Sequence, residues 1–162
     1  MADEMEIARE LNRQFPAVRG AAHVQRERRL MIETSYQGFA AVFDYAARAM
    51  HFSHLAMITG LDQGDALGVI YHLARSDGML LSVRTEVPKS NPQIESVTSM
   101  FPGATLYEKE LVDLFGFKIN GLPERGGRYP LQDDWPAGQY PLRKDWQPPA
   151  EQAGLAGEGE PA

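Results

Sequence analysis

Prolines are concentrated toward the C-terminal end of this 162-residue chain, and their position limits where a folded core can form. Six of the eleven prolines lie between Gly121 and Ala150. Because proline fixes φ and lacks a main-chain donor, this density excludes a central strand or a long helix there. The regular elements are therefore expected in residues 1–116, ahead of an extended segment.

The proline-rich segment also carries large apolar side chains, which a disordered chain would lack. They are Tyr129, Leu131, Trp135, Tyr140, Leu142 and Trp146. An extended segment rich in aromatics, arginines and prolines is typical of chain that lies on another protein surface. The predicted organisation is an α+β domain (1–116), an extended interaction arm of the same domain (117–149), and a disordered tail (150–162).

Three consecutive segments from His51 onward show the alternation of strands: HFSHLAMITG, ALGVIYHLARS and MLLSVRTEV. Turn residues separate them, which predicts an antiparallel meander. Two shorter strands are expected at residues 22–24 and 29–33. In the second meander strand both faces are largely apolar, which places this strand inside the sheet. One face carries Leu67, Val69, Tyr71 and Leu73, and the other carries Gly68, Ile70, His72 and Ala74.

The segments before and between these strands show helical periodicity. It predicts a helix at residues 3–14, ended by Pro16, and a helix capped by Ser35 that reaches about Met50. Asn91 and Pro92 predict a third, short helix before Pro102. The expected fold is α+β: a small, mostly antiparallel sheet with helices on one face and an extended proline-rich C-terminal arm.

The helix that precedes the arm has start, face and stop signals. Thr105 and Glu108 have the spacing of a capping box, and Gly116 stands where a left-handed cap belongs. The periodicity predicts an apolar face of Tyr107, Leu111, Leu114 and Phe115, and a polar side of Glu108, Lys109, Glu110 and Asp113.

Composition excludes several classes of function. The net charge of −6 argues against a nucleic-acid partner, which needs a clustered basic face. The absence of cysteine excludes a thiolate nucleophile, a disulfide framework and a self-held iron–sulfur cluster, and it fits a reducing cytoplasm. Neither a membrane span nor a signal peptide is expected, because apolar runs are short and the N-terminus is acidic.

The residue pattern gives little support for a metal site, a phosphate site or catalysis in this chain alone. The four histidines lack carboxylates or thiolates at ligand spacing, and Gly126–Gly127 lacks the strand and helix of a phosphate loop. A small enzyme with paired carboxylates, Glu108 or Glu110 against Asp133 or Asp134, is one alternative, and a soluble adapter is another. Complementary charges around aromatic anchors favour a lasting protein interface.

At YEKELVDLFGF and DDWPAGQYPLRKDW the chain resembles the respiratory-chain NADH dehydrogenase 30-kDa subunit family of bacterial complex I. The resemblance covers roughly residues 30–147, with Lys109 in place of the usual arginine. Leu106 stands where the family has tryptophan, and Leu122 where it has histidine. In these departures the chain is similar to the homologous subunit of membrane-bound, energy-converting NiFe hydrogenases. The resemblance therefore leaves both a dehydrogenase and a hydrogenase as the parent complex.

The resemblance implies a non-catalytic assembly subunit, peripheral on the cytoplasmic side of the inner membrane and attached to it only through the complex. It implies no cofactor in this chain; iron–sulfur clusters, and a NiFe centre or flavin and NADH, belong to partners. The implied partners are the large, NiFe-hydrogenase-like catalytic subunit and ferredoxin-like iron–sulfur subunits. The predicted interface residues are Glu108, Lys109, Glu110, Asp113, Pro123, Asp133, Asp134, Trp135, Pro141, Leu142, Arg143, Lys144 and Asp145.

Overall fold

The computed structural model describes residues 2–18, 21–124 and 126–148. The predicted tail, residues 150–162, lies outside the described residues. Within that part of the chain the elements are, in order, α1 (Ala2–Gln14), a 3-10 turn (Pro16–Val18), β1 (His23–Arg26), β2 (Arg29–Glu33), α2 (Tyr36–Asp44) with a π-helical extension (Tyr45–Ala49), β3 (His54–Asp62), β4 (Ala66–Ala74), β5 (Leu80–Pro88), β6 (Gln93–Glu95), α3 (Ala104–Phe115) and β7 (Lys118–Asn120).

Five strands form a mixed sheet in the order β1-β2-β5-β4-β3. The β1–β2 hairpin and the β3–β4–β5 meander are antiparallel, whereas β2 pairs with β5 in parallel. Parallel pairing needs a long connection, and α2 with the first two meander strands supplies it. The predicted α+β class, the meander and the interior position of β4 are confirmed.

The helices cover one face of this sheet. Tyr71 on β4 is buried, and its ring lies 4.8 Å from that of Phe39 and 5.3 Å from that of Phe43, both on α2. Its cross-strand partner on β3 is Ile58, and two residues along that strand Gly60 contacts α3. Because cross-strand partners share a face, α2 and α3 pack on the same side.

The start of α2 agrees with its sequence signals. Ser35 accepts a hydrogen bond from the Gly38 main-chain N–H at 3.4 Å, as its N-cap position predicts. On the exposed side, Arg48 Nε donates to Asp44 Oδ1 at 2.6 Å, one helical turn away. On the inner side of the helix Phe39, Val42, Phe43 and Ala46 are all buried.

The short helix predicted from Asn91 and Pro92 is wrong, because this segment forms strand β6. Gln93 and Glu95 are exposed and only Ile94 between them points into the core, which is strand alternation. The partner is β7, which pairs with β6 in parallel. Because β7 follows Gly116, the prediction that regular structure ends at Gly116 is also wrong. The pairing that stabilises such short strands cannot be recognised from the sequence of either segment alone.

Candidate interface on the third helix and the arm

Helix α3 lies close to β3 at Gly60. A Cβ atom at this position would lie 2.5 Å from Phe115 Cε2 and 2.8 Å from Leu111 Cδ2. Leu111 and Phe115 are buried, as the periodicity predicts. Because no residue larger than glycine fits there without moving the helix, Gly60 sets the distance between α3 and the sheet.

Glu108 lies on the inner side of α3, and 0% of its surface is exposed. Its Oε2 accepts a hydrogen bond from Ser96 Oγ, and its Oε1 accepts one from Val97 N, both at 2.7 Å. Burial raises the pKa of this carboxyl, and the two hydrogen bonds partly oppose that rise. Glu108 therefore connects α3 to the segment that follows β6 within the same chain.

The capping-box prediction for Thr105 and Glu108 is therefore wrong. The N-cap position belongs to Gly103, which makes no side-chain cap, and Thr105 Oγ1 donates to the Pro102 carbonyl at 2.9 Å. The predicted polar side is wrong for Glu108 and also for Asp113, which is 6% exposed. Polarity in a sequence pattern does not distinguish an acid in water from an acid that loop donors reach.

Asp113 holds the arm through Arg128. Arg128 Nε donates to Asp113 Oδ1 at 3.2 Å, and its Nη1 donates to the Trp135 carbonyl at 2.6 Å. The guanidinium thus joins the acid on α3 to the main chain of the arm. Arg128 is outside the set of residues predicted from the sequence, and only its position beside the glycine pair marked it.

Lys109 and Asp133 hold the glycine pair of the arm from two sides. Lys109 Nζ donates to the carbonyls of Gly126 and Gly127 at 3.4 and 3.0 Å. The main-chain N–H of Arg128 donates to Asp133 Oδ1 at 3.2 Å. A Cβ atom at Gly127 would lie 2.8 Å from that same carboxylate oxygen. The glycine pair thus permits the close approach of a carboxylate rather than a phosphate.

The motif Pro141–Asp145 lies at the C-terminal end of α3. Gly116 takes the predicted left-handed cap with φ of 75°. The Leu142 main-chain N–H donates to the Leu114 carbonyl at 3.1 Å, and Arg143 Nε donates to the Phe115 carbonyl at 2.6 Å. These donors satisfy carbonyls that a helix leaves without intrahelical partners, and the cation suits the negative end of the helix dipole.

A cluster of four residues ties the end of the motif to the sheet. This cluster, the lock, consists of Asp62, Lys89, Lys144 and Asp145. Asp62 has 1% of its side chain exposed and accepts from Lys89 Nζ and Lys144 N, both at 2.8 Å. Lys89 Nζ also donates to Asp145 Oδ1 at 2.8 Å. Burial raises the pKa of Asp62, but donors from Lys89, Gly64 and Lys144 outweigh it and lower the pKa to about 2.

Gln139 organises the two tryptophans of the arm. Trp135 Nε1 donates to the Gln139 carbonyl at 2.9 Å, and Trp146 Nε1 donates to Gln139 Oε1 at 2.8 Å. The two indole rings lie with centroids 6.2 Å apart. Both rings are half-buried with their N–H groups paired, as partly buried indoles require.

The predicted residues thus fall into three groups. Lys109, Asp113, Arg143, Lys144 and Asp145 make contacts between the arm and the rest of the chain. Asp133 accepts a hydrogen bond from Arg128 within the arm, and Glu108 accepts hydrogen bonds from Ser96 and Val97 within the domain. Glu110, Pro123, Trp135 and Pro141 are partly exposed, and Asp134 and Leu142 are exposed. Their role as an interface with another subunit stays a prediction. Sequence reasoning missed Asp62 and Lys89, whose only signal was a position next to the turns that end strands.

The described residues provide no grouping for a metal site and no helix suited to cross a membrane. Within these ranges no three histidine, cysteine or acidic side chains are grouped as a metal site requires. His72 is engaged on the sheet surface, 3.1 Å from Thr59 Oγ1 and 2.9 Å from Ser82 Oγ. Among helices in the described part of the chain, none combines the length and apolarity that a bilayer crossing requires.

The sequence of this chain is similar to those of subunits of several oxidoreductase complexes. The family model described as respiratory-chain NADH dehydrogenase, 30 Kd subunit, matches residues 32–152. The C subunit of the F(420)H(2) dehydrogenase of Methanosarcina mazei is 31% identical over 145 residues, which cover 82% of this chain and 92% of that protein. The beta subunit of the membrane-bound hydrogenase of Pyrococcus furiosus is 25% identical over 138 residues, covering 82% of this chain and 79% of that one.

Some relatives are longer. The NADH-quinone oxidoreductase subunit 5 of Thermus thermophilus is 32% identical over 112 residues, and the match spans 56% of this chain and 54% of that protein. Among solved structures, a chain of the archaeal membrane-bound sulfane sulfur reductase shares the fold with a TM-score of 0.72. That match has 23% identity and covers 93% of this chain and 89% of that one.

Proposed function

The chain belongs to the respiratory-chain NADH dehydrogenase 30-kDa subunit family, and we propose that it is a non-catalytic assembly subunit of a membrane-bound oxidoreductase. Its relatives include subunits of an F(420)H(2) dehydrogenase and a membrane-bound hydrogenase. In this role the chain holds neighbouring subunits in position, while those neighbours carry the electrons.

This proposal is carried by one observation, which is that charged residues of the two motifs make their hydrogen bonds and ion pairs within the chain. Asp113, Lys109 and Arg143 bond to other parts of the same chain, and so do Asp145 and the buried Glu108. Groups engaged in this way position a segment rather than transform a substrate. An arm that is ordered before binding has less conformational entropy to lose when a partner docks.

The ordered arm still presents apolar and charged groups to its surroundings. Leu142 is 52% exposed and Tyr129 is 40% exposed, beside the exposed acid Asp134 and the exposed Lys144. Aromatic and apolar anchors with charges around them are typical of stable protein–protein interfaces. We therefore assign the outer side of the arm to contact with neighbouring subunits.

The partners that fit this role are a large, NiFe-hydrogenase-like catalytic subunit and ferredoxin-like iron–sulfur subunits. In this proposal, the iron–sulfur clusters, and a NiFe centre or flavin and NADH, reside in those partners and none in this chain. The assembly lies on the cytoplasmic face of the membrane. Both a dehydrogenase and a hydrogenase parent are supported by relatives at comparable coverage of the chain.

A pull-down tests this function. The full chain, tagged and expressed at its natural abundance, is recovered from solubilised membranes of its own host and its companions are identified by mass spectrometry. Co-recovery of a NiFe-hydrogenase-like large subunit and iron–sulfur proteins is expected, and their cofactors distinguish the two parent complexes. Recovery of a monomer with its own turnover would contradict the proposal.

A further inference from the structure

A groove of about 770 Å³ lies between α3 and β7 on one side and the part of the arm that follows β7 on the other. Its apolar lining includes Val112, Phe117, Ile119 and Tyr140. Asp113 also lines the groove. Because the arm is fixed by the contacts at both of its ends, the groove is present before any partner arrives.

The first sign of an occupant is an acceptor without a donor. Asp113 Oδ1 accepts from Arg128, but Asp113 Oδ2 is buried and no described group donates to it. A buried carboxylate oxygen without a partner is costly, and native structures rarely retain one without a reason. A donor carried by a bound segment would complete this site.

The second sign is the free edge of β7. Lys118 N donates to Pro92 O and Asn120 O accepts from Ser96 N, so both residues direct main-chain groups toward the β6 side. Main-chain groups of successive strand residues alternate in direction, so those of Ile119 point away from β6. Ile119 lines the groove, and an unpaired strand edge is a ready template for another strand.

We propose that this groove binds an extended segment of a neighbouring subunit, which pairs with β7 at Ile119 and donates a side-chain N–H to Asp113 Oδ2. This inference rests on the proposed function and names the surface through which it operates. Main-chain pairing supplies affinity, and the apolar lining with the acid selects a segment that carries an apolar and an N–H-bearing side chain. A polypeptide is favoured over a small ligand because a strand edge recognises main chain.

Site-specific photocrosslinking in the assembled complex tests the location. A benzophenone amino acid replaces Leu122, which lines the groove, and in a control chain it replaces Met57, which is 48% exposed on the uncovered face of the sheet. From Leu122 we expect an adduct with another subunit of the same complex, mapped by mass spectrometry to one extended segment. A complex that assembles without a Leu122 adduct overturns the inference.

A competition experiment tests the acid. Asp113→Asn keeps an acceptor for Arg128 but can place an amide donor where Oδ2 stood, whereas Asp65→Asn makes the same change at an exposed turn. Each variant is co-expressed with the wild-type chain, and the ratio of the two chains in the complex is measured. We expect at least about a tenfold deficit for Asp113→Asn and parity for Asp65→Asn.

Equal incorporation of Asp113→Asn and wild type overturns the assignment of Asp113, even if the complex forms. If the wild-type chain itself enters no complex, the proposed function fails, and this inference fails with it. Circular dichroism and tryptophan emission of the variants confirm that the fold and the arm are kept, so that a deficit reflects docking.

Discussion

Glu108 is a single residue that connects two elements from inside the protein, and its removal should be costly. Glu108→Ala leaves the buried Val97 N–H without an acceptor and opens a cavity beneath α3. We expect a loss of about 3 kcal/mol in the free energy of unfolding. Urea denaturation followed by circular dichroism measures it.

Glu108→Gln is the matched control, because the amide oxygen still accepts from Val97 while the titrating group is removed. Burial raises the folded-state pKa of Glu108 above its ordinary value of 4.5. The folded state therefore favours the protonated form, so its contribution to stability falls as pH rises through 4.5 toward the folded pKa. The stability of wild type relative to Glu108→Gln should decline over that range; parallel pH curves would contradict the burial argument.

Gly116 combines two requirements that three glycine-to-alanine variants can separate. Its φ is 75°, and a Cβ atom would lie 2.5 Å from Tyr140 Cζ and 2.7 Å from Arg143 Nη2. Gly138 has φ of 76° and open space, and Gly103 has a helical conformation and open space.

For Gly116→Ala we expect a destabilisation of about 2 kcal/mol or more, from a left-handed alanine and the displaced arm. Gly138→Ala should cost about 1 kcal/mol, and Gly103→Ala less than about 0.5 kcal/mol. Thermal unfolding measures all three. Equal effects at Gly116 and Gly138 would show that Tyr140 and Arg143 do not press on the helix end.

At the scale of elements, the lock should release the arm in acid. The pKa of Asp62 is lowered from 3.8 to about 2, so its stabilising contribution is complete above 3.8 and is lost as pH falls toward about 2. Both tryptophans of the chain, Trp135 and Trp146, lie in the arm, so their fluorescence reports on this segment alone. We expect their emission to shift to the red across that pH range.

Asp62→Asn should produce the same emission change at neutral pH while the circular dichroism of the sheet is kept. A neutral amide at this position removes the ion pair with the Lys89 ammonium. It also removes the carboxylate that accepts a hydrogen bond from the Lys144 N–H. Asp65→Asn in the same turn is the control and should leave the emission unchanged. A wild-type emission spectrum in Asp62→Asn would mean that the lock does not hold the arm.

The elements differ in how well the sequence predicts them. The β3–β4–β5 meander carries its own alternation, so its strands follow from local pattern. The short strands β6 and β7 depend on each other across an intervening helix, and no local rule recognises such pairing. The lock joins Asp62 and Lys89 to a segment more than fifty residues further along the chain, so only the fold brings these charges together.

In the whole molecule, the core and the arm are separable in sequence. Among the described residues the buried apolar side chains run from Ile7 to Phe117, so the core is complete before the proline-rich segment begins. The arm adds hydrogen bonds to the end of α3 and to the strand turns, and it presents Leu142 outward. Stability and assembly should therefore respond differently to loss of the arm.

A chain that ends at Pro123 should keep the circular dichroism of the folded sheet, because its core is intact. Loss of the donors from Leu142, Arg143 and Lys144 should lower the free energy of unfolding by about 2–4 kcal/mol. Its recovery in the native complex should fall sharply, whereas a control chain that ends at Pro148, and keeps every described arm residue, should assemble as the full chain does. Normal assembly of the Pro123 chain would remove the arm from the interface, and an unfolded Pro123 chain would instead make the arm part of the folding unit.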